Sequence, residues 1–296
     1  MTSIREEGLI LSAEKISRMG RMKGKAARIG GSAVVRSASQ FARLRLLAAP
    51  LLLLGSLAPL RAQTVPAMPA PQPGYVFPAR QTLTYSVDWR VFTAGTATFH
   101  LESQGEQEKV SVTADSVGAV NMLYPVVDRF QSAFDQRTGC ASFFNKQLQE
   151  GRRKISSELR FDYAQSKQFL TEKNLVQNTT RQQQGPISGC VTDVLSAIFY
   201  ASSQKIAVGQ NFQLPVADVI RMVTVTMKPE DHEEVKTPAG TFETIRVQPT
   251  ADAGVVKNRG NIWIWYTDDA RHIPVQMRAR LFFGTITFHL QSMEAK

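Results

Sequence analysis

Leu83-Thr84-Tyr85-Ser86-Val87-Asp88-Trp89 places an apolar side chain at every second position. Val91 continues the series, and Thr84, Ser86, Asp88 and Arg90 stand between. A period of two sends alternate side chains to opposite faces. The stretch therefore reads as a β-strand with one apolar and one wet face, the pattern of an antiparallel sheet covered on one side. The next two stretches repeat the pattern. Thr93-Ala94-Gly95 forms a turn, and Ala97, Phe99 and Leu101 then alternate with Thr98, His100 and Glu102. After Gln104-Gly105-Glu106, the residues Val110, Val112 and Ala114 do the same. Three such runs joined by short turns predict a meander.

Working toward the C-terminus, strand-like segments are expected near 126–135, 140–150, 153–163 and 167–174, and Gln177 to Gly189 reads as a polar loop. One segment changes period. Val191, Val194, Leu195, Ile198 and Phe199 follow the i, i+3, i+4, i+7, i+8 spacing of an amphipathic helix, and Thr192 or Asp193 is suited to cap its start. Strand periodicity returns at Val223, Val225 and Met227. Thr237-Pro238-Ala239-Gly240 is a tight turn, and further strands are expected at 241–247, 261–266, 273–281 and 286–290. The fold class expected is mostly β: a curled antiparallel sheet or half-barrel of about eleven strands with one main helix packed on it.

Upstream of the sheet, Phe41 to Ala62 carries Arg43 and Arg45, a Leu/Ala centre and a small residue before Gln63. This is the pattern of a secretory signal cleaved after Ala62. Pro50 and Pro59 interrupt the apolar centre, which is short for the ~20 residues of a membrane span; an uncleaved anchor is the alternative. Residues 1–40 read either as a long basic n-region or as a start placed too early, with Met19 or Met22 as the later start. Residues 63–78, with five prolines, are expected as a linker, and 79–296 as a single β domain.

The signal changes the reading of charge. Of 35 Lys+Arg and 25 Asp+Glu in the chain, 11 and 3 lie in residues 1–62, leaving 24 and 22 for the remainder. The whole-chain +10 thus falls to +2, which removes the basic footprint of a nucleic-acid-binding protein. In an exported chain the two cysteines, Cys140 and Cys190, are expected as a disulfide, tying the helix entrance to the strand at Cys140.

The order of several motifs resembles the bacterial domain-of-unknown-function family 3108. These are Leu83-Thr-Tyr-Ser-Val-Asp-Trp89 with Ala94-Gly-Thr-Ala-Thr98; Leu123-Tyr-Pro-Val-Val-Asp-Arg-Phe130; Thr192-Asp-Val-Leu-Ser196; Thr237-Pro-Ala-Gly-Thr-Phe242; and Trp263-Ile-Trp-Tyr-Thr-Asp-Asp269 with His272-Ile-Pro274. The resemblance implies an exported bacterial protein with a curled antiparallel sheet, and it brings no activity or catalytic residues with it. The layout is also similar to the periplasmic lipoprotein-carrier half-barrels, an analogy of architecture alone.

Several groups have the composition of a site. Asp269 and His272 have the chemistry of an oriented general base, or of a hairpin turn. Glu230-Asp231-His232-Glu233-Glu234 could supply cation ligands, but strand alternation splits them between two faces. His100 and His289 lack a second His at ligand spacing. Arg152-Arg153-Lys154 is either a solvated turn or a contact for anionic headgroups. Trp263, Trp265 and Tyr266 offer a ligand face on one side of their strand and core on the other. The expectation is a non-catalytic envelope protein, periplasmic, without cofactor or metal, that binds or carries an apolar ligand or lipid. The alternatives are an interaction protein docking an envelope partner through a sheet edge or aromatic face, and a hydrolase using Asp269 and His272.

Overall fold

The computed structural model describes residues 66–295 apart from 252, 254–256, 258–260 and 282–283. The signal stretch and basic leader lie outside the described residues.

Among the described residues fifteen strands form one open sheet. The first eight are β1 (Arg80–Trp89), β2 (Phe92–Gln104), β3 (Gln107–Ser116), β4 (Val127–Asp135), β5 (Ala141–Glu150), β6 (Arg153–Asp162), β7 (Lys167–Asn174) and β8 (Thr179–Pro186). The rest are β9 (Thr192–Asp193), β10 (Phe212–Asp218), β11 (Arg221–Thr237), β12 (Gly240–Thr250), β13 (Asn261–Thr267), β14 (Pro274–Leu281) and β15 (Gly284–Ala295). Among the described residues two short helices interrupt them, α1 (Gly118–Leu123) and α2 (Val194–Tyr200), the latter continued by a 3₁₀ turn at Ala201–Ser203.

The spatial order is β8-β7-β6-β5-β4-β3-β2-β1-β15-β14-β13-β12-β11-β10-β9. The chain is therefore two meanders sewn together along one seam, where β1 pairs antiparallel with β15 from Gln81↔Ala295 to Trp89↔Ile286. β1 stands eighth of the fifteen. Its alternation of Leu83, Tyr85 and Val87 inward with Thr84 and Ser86 outward sets the facing of its neighbours, because Leu83 pairs with Phe99 and Tyr85 with Ala97.

The strand count exceeds the expectation of about eleven mainly because β8, β9 and β10 carry little periodic signal. β8, Thr-Thr-Arg-Gln-Gln-Gln-Gly-Pro, replaces part of the expected polar loop; most of its residues are exposed, so no apolar alternation marks it. β9 has two residues and pairs in parallel with β10.

Inward-facing residues of both meanders join one apolar cluster, in which Tyr85, Leu83, Phe134, Leu214, Ile245, Tyr266 and Leu290 are wholly buried. α2 completes it, burying Leu195 and Phe199 against the sheet; each such side chain contributes roughly 1.5–3 kcal/mol of burial. Phe199 meets Phe99 at 5.7 Å between ring centroids, and the hydroxyl of Tyr266 donates to the carbonyl of Ile198 at 2.9 Å. A second cluster of Leu159, Leu170, Ile187, Val191 and Ala217 ties β6 and β7 to β10. It curls the sheet until its two ends approach: a Cβ on Gly185 of β8 would lie 2.3 Å from the carbonyl oxygen of Ile220, so glycine is what this approach requires.

The α2 entrance is heavily fixed. Asp193 caps it, accepting from the backbone N–H of Leu195 at 2.9 Å and of Ser196 at 3.0 Å, while its other oxygen takes the hydroxyl of Ser132 on β4. Cys140 and Cys190 form the expected disulfide, with Cα atoms 5.0 Å apart. The backbone N–H of Ala141 donates to the carbonyl of Val191 at 2.8 Å.

The segment expected as a linker behaves differently over 66–78. It has no regular element, yet it lies on the core. Phe77 is buried and stacks edge-on to Phe134 at 5.6 Å. The N–H of Gln72 donates to the carbonyl of Ser203 at 2.7 Å, and the Tyr200 hydroxyl donates to the carbonyl of Pro69 at 2.7 Å. Proline-rich chain is already extended and restricted, so ordering it costs less entropy than ordering a free coil; the two aromatic rings supply the anchor.

Candidate functional site

At the end of the sheet where β1 begins, the docked 72–78 segment and the turn between β13 and β14 enclose a cavity of about 580 Å³. Tyr75, Phe77, Leu101, Phe199, Ile273 and Met293 give it apolar walls, and Gln81, Ser202, Asp269, Arg271 and His272 add polar groups. The volume falls within the range of small-molecule sites, which pair apolar walls with a few polar groups that fix orientation.

Each wall is held by bonds within its own segment and to its neighbours. Tyr75 and Phe77 meet edge-to-face at 5.0 Å, and the backbone N–H of Ser103 donates to the carbonyl of Ala79 at 3.1 Å. Burial pushes the Tyr75 phenol well above its usual range, with the carboxylate of Glu108 adding to it, so Tyr75 stays neutral. On the opposite wall Asp269 organises the turn. Its carboxylate accepts from the Thr267 hydroxyl and the Arg271 N–H, both at 2.9 Å, and from the Arg271 guanidinium at 2.5 and 3.0 Å. Burial opposes ionisation of this carboxyl, but the bonds from Arg271 and Thr267 outweigh it and hold the group below the usual carboxylate range.

His272 is buried with a left-handed backbone, φ 43°. Its Nδ1 lies 2.9 Å from the carbonyl of Ser202, which can only accept, so Nδ1 carries the proton. The Ser202 hydroxyl returns a bond to the carbonyl of His272 at 2.8 Å. Asp269 and His272 thus share one concavity, but their side chains face different partners. The bond that joins them is between backbones, N–H of His272 to the carbonyl of Asp269 at 3.2 Å. This is a turn locked to the 3₁₀ segment, with Arg271 and the second imidazole nitrogen as its polar features.

The aromatic run of β13 divides. Trp265 is buried, donating from its indole N–H to Glu233 at 2.7 Å, with the Arg278 guanidinium 5.1 Å above its ring. Tyr266 is in the core. Trp263 is half-buried with Arg280 5.8 Å over it. The three do not converge on the cavity. The acidic run at 230–234 lies in β11 beside a bulge at Pro229/Asp231. There Glu230 and Glu233 grip Arg246, and His232 pairs with Asp268 at 3.0 Å. Among the described residues no group of three or more His, Cys, Asp or Glu gathers to hold a metal ion. His100 bonds Thr82 at 3.0 Å, and His289 faces Asp88 at 3.6 Å; burial lowers the His289 pKa against the pull of Asp88.

Sequence reasoning missed the cavity because its walls come from five separate parts of the chain. One local signal was present: Tyr75 and Phe77, two aromatic residues in a stretch of Pro, Ala and Gln.

The sequence matches the pattern of the family described as protein of unknown function (DUF3108) over residues 84–291, and the chain belongs to that family. Nothing among curated proteins matches it. Among solved structures it is similar to a β-barrel-like protein of domain of unknown function DUF1849 from Brucella abortus. That match has 8% identity and a TM-score of 0.51 over 75% of this chain and 99% of the other; at that identity the likeness is one of fold. A Bacteroides fragilis protein with a YmcC-like fold, described as exported, matches at 7% identity and TM-score 0.34, over 74% of this chain and 96% of the other. A protein from Parabacteroides distasonis described as a lipoprotein matches at 10% and 0.28, over 74% and 97%.

Proposed function

We propose that this DUF3108 protein is an exported, periplasmic, non-catalytic binding module that carries a small amphipathic molecule in the end cavity. The observation that carries the reading is the cavity: about 580 Å³, with apolar walls from Phe77, Leu101, Phe199 and Met293 and polar groups from Gln81, Arg271 and His272. An apolar body would lie against the former and a polar head against the latter. The signal pattern at 41–62 and the disulfide support export, since paired cysteines persist in oxidising compartments. The ligand suggested is smaller than a bilayer lipid with two chains, because the sheet's interior is filled by its own side chains.

The test begins with protein recovered from cells after export. Mass spectrometry under non-denaturing conditions reads any bound molecule, and anilinonaphthalene sulfonate serves as an amphipathic probe. Binding of one equivalent, lost in a Met293→Trp variant that keeps its unfolding midpoint, supports the reading. Absence of both a co-purifying molecule and probe binding refutes it.

A further inference from the structure

The opposite end of the sheet, eight residues of β1 away and so roughly 26 Å distant, carries a different surface. Three connections there each present a pair of apolar side chains to solvent: Val91 and Phe92 where β1 turns into β2, Met122 and Leu123 at the end of α1, and Leu175 and Val176 between β7 and β8. All six are between 57% and 86% exposed. Backbone bonds join these loops into one ridge. Val117 N–H donates to Ala94 at 3.0 Å, Gly151 N–H to Pro125 at 2.8 Å and Leu175 N–H to Lys154 at 2.9 Å, which adds the β5–β6 turn to the series.

The charge of the ridge is of one sign. Segments 90–93, 117–127, 151–154 and 173–180 hold five basic residues, Arg90, Arg152, Arg153, Lys154 and Lys173, and no Asp or Glu, in a domain whose net charge outside residues 1–62 is +2. Of the neighbouring acids, Glu150 is buried and takes Arg153 at 3.0 Å, Asp115 takes Arg129 at 2.8 Å, and Glu172 is half-buried beside Lys173.

We infer that this ridge docks the protein on an anionic phospholipid bilayer, with the six apolar tips in the interfacial layer and the bases among the phosphates. Charge complementarity selects that occupant, because a second copy would bring like-charged ridges together. Apolar pairs on separate loop tips also suit a fluid headgroup layer that moulds around them. The outward face of the sheet is polar, with Thr84, Ser86, Thr96, Thr98 and His100 along β1 and β2, so contact is made by the end and not by the sheet's outer face. The end cavity then lies at the end of the sheet remote from the membrane.

Protein recovered after export, its N-terminus established by mass spectrometry, is floated with vesicles of phosphatidylglycerol and phosphatidylcholine, and with phosphatidylcholine alone. Partitioning is expected to be at least about tenfold stronger on the anionic vesicles and to weaken with added salt. It is expected to fall about tenfold in Phe92→Ser/Met122→Ser/Leu123→Ser and also in Arg152→Ser/Lys154→Ser. These side chains are exposed, so unfolding midpoints should be unchanged, and each variant checks the other. Equal binding to both vesicle types, binding unaffected by either variant, or no binding by the parent protein overturns the inference. So does a dimer in solution abolished by the apolar variant, which would assign the ridge to a second copy.

Discussion

Glu108 gives the sharpest test of the interior electrostatics. It lies on β3 between Ser103 and Phe134 in register, and its side chain is wholly buried. One carboxyl oxygen accepts from the Ser103 hydroxyl at 2.7 Å and the Gln136 amide at 3.1 Å; the other has no partner. Burial pushes the carboxyl up to about 7, against the two hydrogen bonds. Between about pH 4.5 and 7 the folded chain therefore keeps a proton that the unfolded chain has released. Stability contributed by this group is full below the lower value, declines as pH rises through the window and levels off above it. The gap from 4.5 to about 7 corresponds to an upper bound of about 3 kcal/mol. Glu108→Gln cannot titrate. Burial also lifts Asp128, to about 8, with Glu150 adding to it, but that slope is common to both proteins and cancels. Urea unfolding followed by tryptophan fluorescence at pH 5 and pH 8 should show the variant gaining up to about 3 kcal/mol on its parent between the two, or roughly 6–12 °C in Tm for a domain of this size. At pH 5 the variant should be slightly weaker, because its amide places an unpartnered donor where the lone oxygen sits. A variant-minus-parent difference that is the same at both pH values refutes the reasoning.

Two further expectations concern the α2 entrance. Asp193→Ala removes two backbone caps and the partner of buried Ser132, and should cost about 3 kcal/mol in urea unfolding. Asp193→Asn, which keeps an acceptor, should cost less, and equal losses would show that the cap is not the source. Replacing Cys140 and Cys190 together by Ser opens a loop of 50 residues and should cost about 4 kcal/mol in the chain-entropy account; an unchanged unfolding midpoint would contradict it.

The legibility of the sequence depends on which interactions are local. Alternation in 83–89 or 97–101 is written into adjacent residues because one face of each strand is buried, and the cap at Asp193 lies beside the helix it serves. β8 escaped because it ends the sheet: with few buried side chains, Thr179–Pro186 has nothing to alternate. The docking of 66–78 escaped because prolines describe the backbone of a segment and not what it lies against. Only Tyr75 and Phe77 hint at a surface below, and that surface is assembled from β4 and α2. The aromatic run at 263–266 promised an open face, but the guanidinium groups over Trp263 and Trp265 come from β14, the strand after it. The cavity depends on pieces more than two hundred residues apart, from Gln72 to Ala295, and no window of sequence contains it.

The seam between β1 and β15 bears on the order in which the molecule can be made. Each meander can build its hairpins as it is synthesised, since its strands pair with sequence neighbours. β1, however, sits in the middle of the finished sheet, and one of its edges has no partner until residues 284–295 arrive. Until then the apolar faces of both halves stay open, and pairing across so long a separation is intrinsically slow. The C-terminal twelve-residue strand thus sets when folding finishes as well as where the sheet is joined.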